Sequence, residues 1–381
     1  MLLILFARRP ESFLHPQFYA EDGAVFYVGA HRDPWGSILT PYAGYLHLAS
    51  RLVAALCSGL DPHWVPTAYF SASLAAVAAL CLALFSRRAG LPRPAILALA
   101  VVLVPHTGEV FDNLTNLQWI MALGLIVLLL ARDPREPPQW LADFGFASLA
   151  SLSGVFSVLF APLFAIRAAA RRSRAAAGLA CVVCAGAAVQ AHAILADASA
   201  PAASDTTAVL ALATFGQRVW MSLLAPPRFA DASPLWLRAC VGSAGAALLL
   251  VLGLRSRPAR LERAVLAVAM LLVVAAAIFR FRGAIQMLGC VANGDRYFFV
   301  PKVGVAWLLA AHLRGPSGMR WLSAALLVAL AATTCGSFRF ERWRDYNWAY
   351  WAGRIADGRR VVVPINPDGF AFEYDGGKSV Q

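Results

Sequence analysis

Long apolar runs follow one another along the whole chain, and they constrain its fold more than any other feature. A helix that crosses a bilayer needs about 20 mostly apolar residues. Only 14% of the residues are charged, whereas a soluble domain carries about 25%. The sequence therefore predicts an all-α polytopic membrane protein. The clearest spans are residues 64–86, 175–195, 235–254, 261–279, 297–313 and 319–335.

Shorter apolar segments raise the expected number of spans. Residues 94–105 and 117–131 are two of them. Residues 138–167 are interrupted at Leu152-Ser153-Gly154, which predicts a hairpin of two short segments. The total is about ten transmembrane helices. Residues 1–7 are apolar but too short to span, so we expect the natural protein to begin one helix earlier.

The positive charge supports this count. The formal net charge is +12, and the hairpin places all five basic loops on one side, which the positive-inside rule assigns to the cytoplasm. This pattern predicts a multi-pass protein of the plasma (inner) membrane that contacts the lipid bilayer and binds no nucleic acid. The arginines of these loops are Arg87, Arg88 and Arg93; Arg132 and Arg135; Arg167, Arg171, Arg172 and Arg174; Arg255, Arg257, Arg260 and Arg263; and Arg314 and Arg320.

The remaining polar segments fall on the outer side and suggest two domains. Residues 1–336 form a transmembrane domain with an outer loop at 8–63, in which 43–60 predicts an interfacial amphipathic helix. Residues 209–225 resemble it, and the alternative for both is a buried span with one polar stripe. Residues 337–381 form a short extracytoplasmic tail with a predicted strand at 361–365, too small for an enzyme domain.

Two adjacent carboxylates, Glu21 and Asp22, lie in this outer loop, and Tyr45 and His47 follow them. Neighbouring like charges raise one pKa, which suits a general base or a metal clamp. The alternative is a solvated turn, because Asp22-Gly23 is a common turn pair.

A second polar group crowds the outer loop between two thin apolar segments. Amide and carboxylate groups there could hydrogen-bond sugar hydroxyls, with Trp119 as a stacking surface. The alternative, a loop that is polar because it is solvated, explains Gln118 less well, since that residue begins an apolar helix. The residues are His106, Glu109, Asp112, Asn113, Asn116 and Gln118.

Cations on the outer side form a third group, against the positive-inside trend. An ionisable residue inside an apolar run, such as Lys302, is by default a functional-site hypothesis, and arginine suits phosphate. The alternative is that Lys302 reaches the interface and Arg296 pairs with Asp295. The group comprises Arg280, Arg282, Asp295, Arg296, Tyr297 and Lys302.

This layout resembles the polytopic glycosyltransferases of the GT-C class, in which an acidic motif follows the first transmembrane helix. Glu21 and Asp22 occupy that place. The class uses polyprenyl-phosphate-linked sugars, and its acidic residue serves as catalytic base or metal ligand. The chain departs from the class in its short tail and in its Glu-Asp order, which leaves open which carboxylate acts.

The resemblance implies a cell-envelope hexosyl- or pentosyltransferase that acts on a glycan, lipid or protein acceptor at the extracytoplasmic face. Glu21 or Asp22 would be the base, with a divalent metal ion there as an alternative. A transporter or flippase of lipid-linked saccharides and a non-catalytic membrane assembly subunit are the other readings. The implied substrate contacts are Tyr45, His47, Arg51, His106, Glu109, Asn113, Asn116, Gln118, Arg280, Arg282, Asp295, Arg296, Tyr297 and Lys302.

Overall fold

A computed structural model describes residues 1–197, 204–254 and 260–376 of the chain. Nearly all of its regular structure is helical. The α-helices are α1 (Leu2–Arg8), α2 (Pro10–Leu14), α3 (Val28–Arg32), α4 (Leu48–Leu56), α5 (Val65–Phe85), α6 (Pro94–Leu103), α7 (Leu117–Leu130), α8 (Pro137–Ser151), α9 (Phe156–Arg171), α10 (Arg174–Ala196), α11 (Ala208–Phe215), α12 (Ser222–Leu224), α13 (Pro227–Ala232), α14 (Leu235–Leu254), α15 (Arg260–Arg280), α16 (Arg296–His312), α17 (Ser317–Gly336) and α18 (Trp348–Ala356).

Five of these helices, α5, α10, α14, α15 and α17, are long and apolar enough to cross a membrane. Each leaves more than half of its most apolar stretch uncovered by other parts of the protein. Apolar surface of this extent needs a lipid environment. The fold is therefore that of a helical membrane protein, as the sequence predicts.

The expected count of about ten full spans is wrong for the described residues. Helix α6 has 10 residues and α7 has 14, so at 1.5 Å per residue they reach only about 15 and 21 Å. Helices α8, α9 and α16 have 15, 16 and 17 residues. Nearly all of α7 and α16 is buried. Helices α7 and α16 are therefore apolar because protein surrounds them, and hydropathy does not separate this cause from contact with lipid.

The basic loops of the described chain gather at one end of the helical body, here called the basic end. Helix α8 ends at Ser151 and α9 begins at Phe156, which confirms the predicted hairpin. The Arg88 guanidinium donates to the Arg132 carbonyl, and Arg167 donates to the Ala131 carbonyl. Loops that are far apart in the sequence therefore meet, as the alternating topology requires.

The N-terminal segment and the tail up to residue 376 meet at the opposite end. Arg8 and Arg9 are 0% and 2% exposed, and their guanidinium groups lie 3.9 and 5.1 Å from the Phe340 ring. The tail continues through α18 into an antiparallel hairpin of β1 (Val361–Ile365) and β2 (Phe370–Tyr374). The predicted strand at 361–365 is confirmed. The tail lies against the N-terminal segment, so it covers this end of the body.

Neither predicted interfacial helix presents its polar stripe to water. His47 and Arg51, the stripe of α4, are 5% and 4% exposed. In the second segment, α11 continues through a π-helix (Gly216–Met221) into α12, and Gln217 and Arg218 are 2% and 0% exposed. The α4 stripe lies near the Phe26 ring, and Arg218 lies near Asp295 and the Phe298 ring, so both stripes face the protein interior. The alternative of a buried segment with a polar stripe therefore describes both better.

Candidate functional site

The acidic segment is held between the tail and the loop before α7. Residues Asp22–Tyr27 form a π-helix, and Ala20 precedes it in the left-handed region with φ of 46°. The Ala20 N–H donates to the Asn366 carbonyl at 2.5 Å. A side chain at Gly23 would meet the Phe372 ring at 2.6 Å. The segment can approach the hairpin this closely only because residue 23 is a glycine.

Asp22 is buried and fully used in hydrogen bonds. Its carboxylate accepts from the backbone N–H groups of Leu114 and Thr115, at 3.1 and 2.8 Å, and from the Thr115 hydroxyl at 2.7 Å. Burial raises its pKa to about 7, against the lowering effect of these donors. The solvated turn is therefore wrong for this residue. Asp22 ties the acidic segment to the start of α7.

This raised pKa predicts that stability falls as pH rises. Between the ordinary aspartate value of 3.8 and the folded value of about 7, the folded state holds a proton that the unfolded state has lost. The contribution is complete below pH 4 or so and disappears as pH rises through about 7, with a slope of at most about 1.4 kcal/mol per pH unit. Melting temperatures between pH 5 and 8 should therefore decline more steeply in the wild type than in Asp22→Asn. Parallel curves would contradict this assignment.

Glu21 lies in a different environment, on the partly exposed surface beside Asp22. The Tyr42 hydroxyl donates to Glu21 Oε1 at 3.1 Å. Burial and the Glu21 carboxylate raise the pKa of Tyr42 to about 12, whereas Arg296 lowers it. Arg296 itself pairs with Glu109, Nη1 to Oε2, at 2.6 Å. Two carboxylates and one guanidinium therefore share one partly open surface.

Tyr45, Gln118 and His47 adjoin this surface. Gln118 Nε2 donates to the Tyr45 hydroxyl at 3.2 Å, and the Tyr45 and His47 rings lie 4.6 Å apart. Burial and the nearby Arg51 lower the pKa of His47 to about 4, so His47 is neutral at pH 7. The predicted substrate residues Glu109, Gln118, Tyr45 and His47 are thus brought near the acidic segment.

The asparagine side chains of the 106–116 loop form hydrogen bonds within that loop and stabilise its conformation. The Asn113 and Asn116 side chains both donate to the Glu109 carbonyl, at 2.8 and 2.7 Å, and Trp119 Nε1 donates to the Asn116 side chain. The two asparagines are 0% and 2% exposed. Asp112 pairs with buried Arg9 at 3.1 Å. These contacts fix the backbone that carries Glu109.

A buried ionic cluster lies beneath the surface and consists of Arg218, Asp295 and Lys302. Lys302 Nζ lies 2.7 Å from Asp295 Oδ1 and also donates to the Pro105 carbonyl. Arg218 Nη2 approaches the same carboxylate at 3.7 Å. All three side chains are 0% exposed. The alternative in which Lys302 reaches the interface and Arg296 pairs with Asp295 is therefore wrong.

The other predicted cations lie apart from this cluster. Arg280 is exposed, and Arg282 donates to the Phe279 carbonyl. The Arg282 carbonyl accepts from Asp205 and Thr206. His106 packs against the rings of Phe111, Phe299 and Phe340, and burial keeps its pKa well below the usual value. Among the predicted cations, Arg296 is the one placed beside Glu21 and Glu109.

The acidic pair does not fit a metal ion. Asp22 already accepts three short hydrogen bonds, while Glu21 accepts from Tyr42. Within residues 1–197, 204–254 and 260–376, His, Cys, Asp and Glu side chains form no group of three or more that could hold a metal ion. The metal clamp therefore does not fit this position.

An apolar groove of about 550 Å³ opens beside the surface. One wall is the loop that carries Tyr42 and Tyr45, and the other is the outer part of α10. The polar groups on its walls are few, among them Asp197 and His192. The residues that line it are Leu39, Pro41, Ala43, Gly44, Leu46, Val189, His192, Ala193, Ala196 and Asp197.

Two residues of this region, Tyr42 and Arg218, are not among the predicted site residues. Tyr42 lies in a Pro-Tyr-Ala-Gly-Tyr loop, three positions before Tyr45. The sequence signal that could have identified it is this second tyrosine in the same loop. Arg218 stands in an otherwise apolar run next to Gln217. An ionisable residue in such a run is by default a candidate for function or for a buried pair. The pattern of residues 209–225 predicts an interfacial helix instead.

Comparison of the chain with protein-family models, with curated proteins and with solved structures finds no match. A fold can host many activities, so function has to be argued from the geometry of the site.

Proposed function

We propose that this protein is an integral-membrane glycosyltransferase of the GT-C kind. It transfers a sugar from a polyprenyl-phosphate donor to an envelope glycan, lipid or protein acceptor. The site faces the extracytoplasmic side of the inner membrane, and the basic end faces the cytoplasm. The positive-inside rule supports this orientation, because the site and the basic loops lie at opposite ends of the body.

One observation carries the proposal, namely that the charged surface and the apolar groove share a wall. Tyr42 and Tyr45 face Glu21 and Gln118, while Ala43 and Gly44 line the groove. A lipid-linked sugar has the same division, with a long apolar chain joined to a charged phosphate and a polar sugar. A groove that shares a loop with a surface carrying a carboxylate and a guanidinium suits such a donor.

The chemistry assigns separate roles to the two charges. Glu21 accepts the proton of an acceptor hydroxyl as that oxygen attacks the anomeric carbon. The bond from the anomeric carbon to the phosphate oxygen breaks, and its electron pair leaves with the polyprenyl phosphate. Arg296 stabilises the negative charge of that phosphate. Glu109 holds Arg296 in place, and Asp22 fixes the backbone on which Glu21 lies.

Filling the groove tests the proposal. Ala193 lines the groove on α10, and Ala193→Trp should block the lipid chain. Using a lipid-phosphate sugar with a long chain, we expect the KM to rise about tenfold, the factor given by roughly 1.4 kcal/mol of lost binding. A donor with a short chain should be little affected. Initial rates of sugar transfer in detergent, measured for both donors, provide the comparison.

The matched control is Ala185→Trp, which places the same side chain on an exposed position of α10 away from the groove. It should leave both KM values unchanged. Equal sensitivity of long and short donors to Ala193→Trp would contradict the groove assignment. Absence of transfer from any lipid-phosphate sugar by the wild type would contradict the proposed activity itself.

A further inference from the structure

We propose a second lipid site at the basic end, where Arg167 and Arg171 bind the phosphate of an anionic phospholipid. The site is independent of the proposed sugar transfer and lies at the other end of the body. It is a small cleft of about 30 Å³ between α9 and α15, which admits phosphate oxygens while the rest of the headgroup stays outside. The ligand class is a singly charged phosphodiester headgroup with two acyl chains.

The first argument is a built cationic site with unused donors. Arg167 is 4% exposed, and its Nε and Nη1 atoms are buried with no hydrogen-bond partner among the described residues. Its Nη2 donates to Asp133 and to the Ala131 carbonyl. Buried guanidinium donors are rarely left unpaired, because an unsatisfied buried polar group is costly. The cleft lies against this side chain.

Charge gives the second argument. Arg167 and Arg171 share one carboxylate, Asp133, at 2.7 and 3.0 Å. The adjacent Asp143 is already paired with Arg88. Arg263 lies near the third carboxylate of this region, Glu262. Four guanidinium groups therefore face three carboxylates, which leaves one positive charge for an anion. Glu262 lines the α15 side of the cleft and opposes a second negative charge, so a singly charged phosphodiester is favoured over a doubly charged phosphate monoester.

The third argument identifies the source of the phosphate. The other residues of the cleft are apolar, among them Leu129, Leu130 and Val265. Ile166 and Leu261 line the cleft and are 50% and 49% exposed. A soluble anion would leave these apolar side chains exposed, whereas the acyl chains of a lipid would cover them. Basic pockets between membrane helices at the cytoplasmic side are places where anionic headgroups bind.

The test is lipid binding to the full chain in nonionic detergent, followed by native mass spectrometry. Phosphatidylglycerol should form an adduct that phosphatidylcholine does not. Arg171→Gln should weaken this adduct about tenfold, the factor expected for one charged hydrogen bond. Arg167→Gln should weaken it at least as much, and Arg171 provides the safer variant because it is less buried. Melting temperature reports whether each variant is folded.

Arg172→Gln is the matched control, since Arg172 is adjacent and exposed and does not line the cleft. It should retain the adduct. Equal binding of phosphatidylcholine, or equal loss in Arg172→Gln, would overturn the site. Competition by soluble glycerophosphoglycerol, a phosphodiester without acyl chains, at the concentration of the lipid would overturn the lipid as its source. Tighter binding of phosphatidic acid than of phosphatidylglycerol would overturn the role given to Glu262.

Discussion

Glu21→Gln is expected to lower the rate of sugar transfer by about two to four orders of magnitude, the usual contribution of a general base. The substitution keeps the size of the side chain and an oxygen that can accept from the Tyr42 hydroxyl, 3.1 Å from Glu21 in the wild type. It removes the ability to take a proton. The loss should therefore appear in kcat rather than in the KM for the donor.

The matched control for this prediction is Glu136→Gln, an exposed glutamate at the basic end. It should leave the rate unchanged. Transfer from a radiolabelled lipid-linked sugar, together with a melting curve for each variant, separates lost chemistry from lost folding. A folded Glu21→Gln protein that transfers sugar at the wild-type rate would remove Glu21 from the mechanism and with it the strongest reason to regard this surface as an active site.

Asp22→Asn should behave differently from Glu21→Gln, although the residues are adjacent. Asp22 acts through the backbone of Leu114 and Thr115 and is a positioning residue. Its loss should reduce the rate less than the loss of Glu21 does, and it should also flatten the pH dependence of stability. The sequence leaves open which carboxylate acts, because it does not show how the environments of these two adjacent carboxylates differ.

Local pattern predicted the features of the fold that depend on nearby residues. The turn between α8 and α9, the strand Val361–Ile365 and the five long apolar helices all follow from runs and breaks along the chain. The number of spans does not follow from the hydropathy pattern, because α7 and α16 are apolar as buried helices of the protein interior. Hydropathy indicates which side chains prefer to avoid water, and it does not distinguish contact with lipid from contact with protein.

Partners distant in sequence account for the remaining differences at the site. Arg296 pairs with Glu109, which is 187 residues away, whereas the neighbouring Asp295 pairs with Lys302. The identity of each pair depends on how α16 packs against the 106–116 loop. The sequence singles out these charged residues as candidates, but it does not determine which cation opposes which carboxylate.

The second large effect is expected in the buried ionic cluster. Asp295→Ala should destabilise the protein by about 3–5 kcal/mol, because it removes the carboxylate that buried Lys302 and Arg218 both approach. Both cations are 0% exposed, so water cannot take the place of the lost partner. The double variant Asp295→Ala/Lys302→Met removes one of the two stranded charges and should recover part of the loss. Thermal unfolding in a single detergent measures both effects.

An exposed ion pair provides the control for this cluster. Glu373 lies beside Arg360 with both side chains at least half exposed, and Glu373→Ala should change stability by no more than about 1 kcal/mol. A double variant less stable than Asp295→Ala would contradict the view that stranded charge is the cause.

The cluster also matters for function, since Asp295 begins the helix that presents Arg296. Loss of Asp295 should therefore loosen the Arg296–Glu109 pair and reduce transfer in the molecules that remain folded, whereas Glu373→Ala should not.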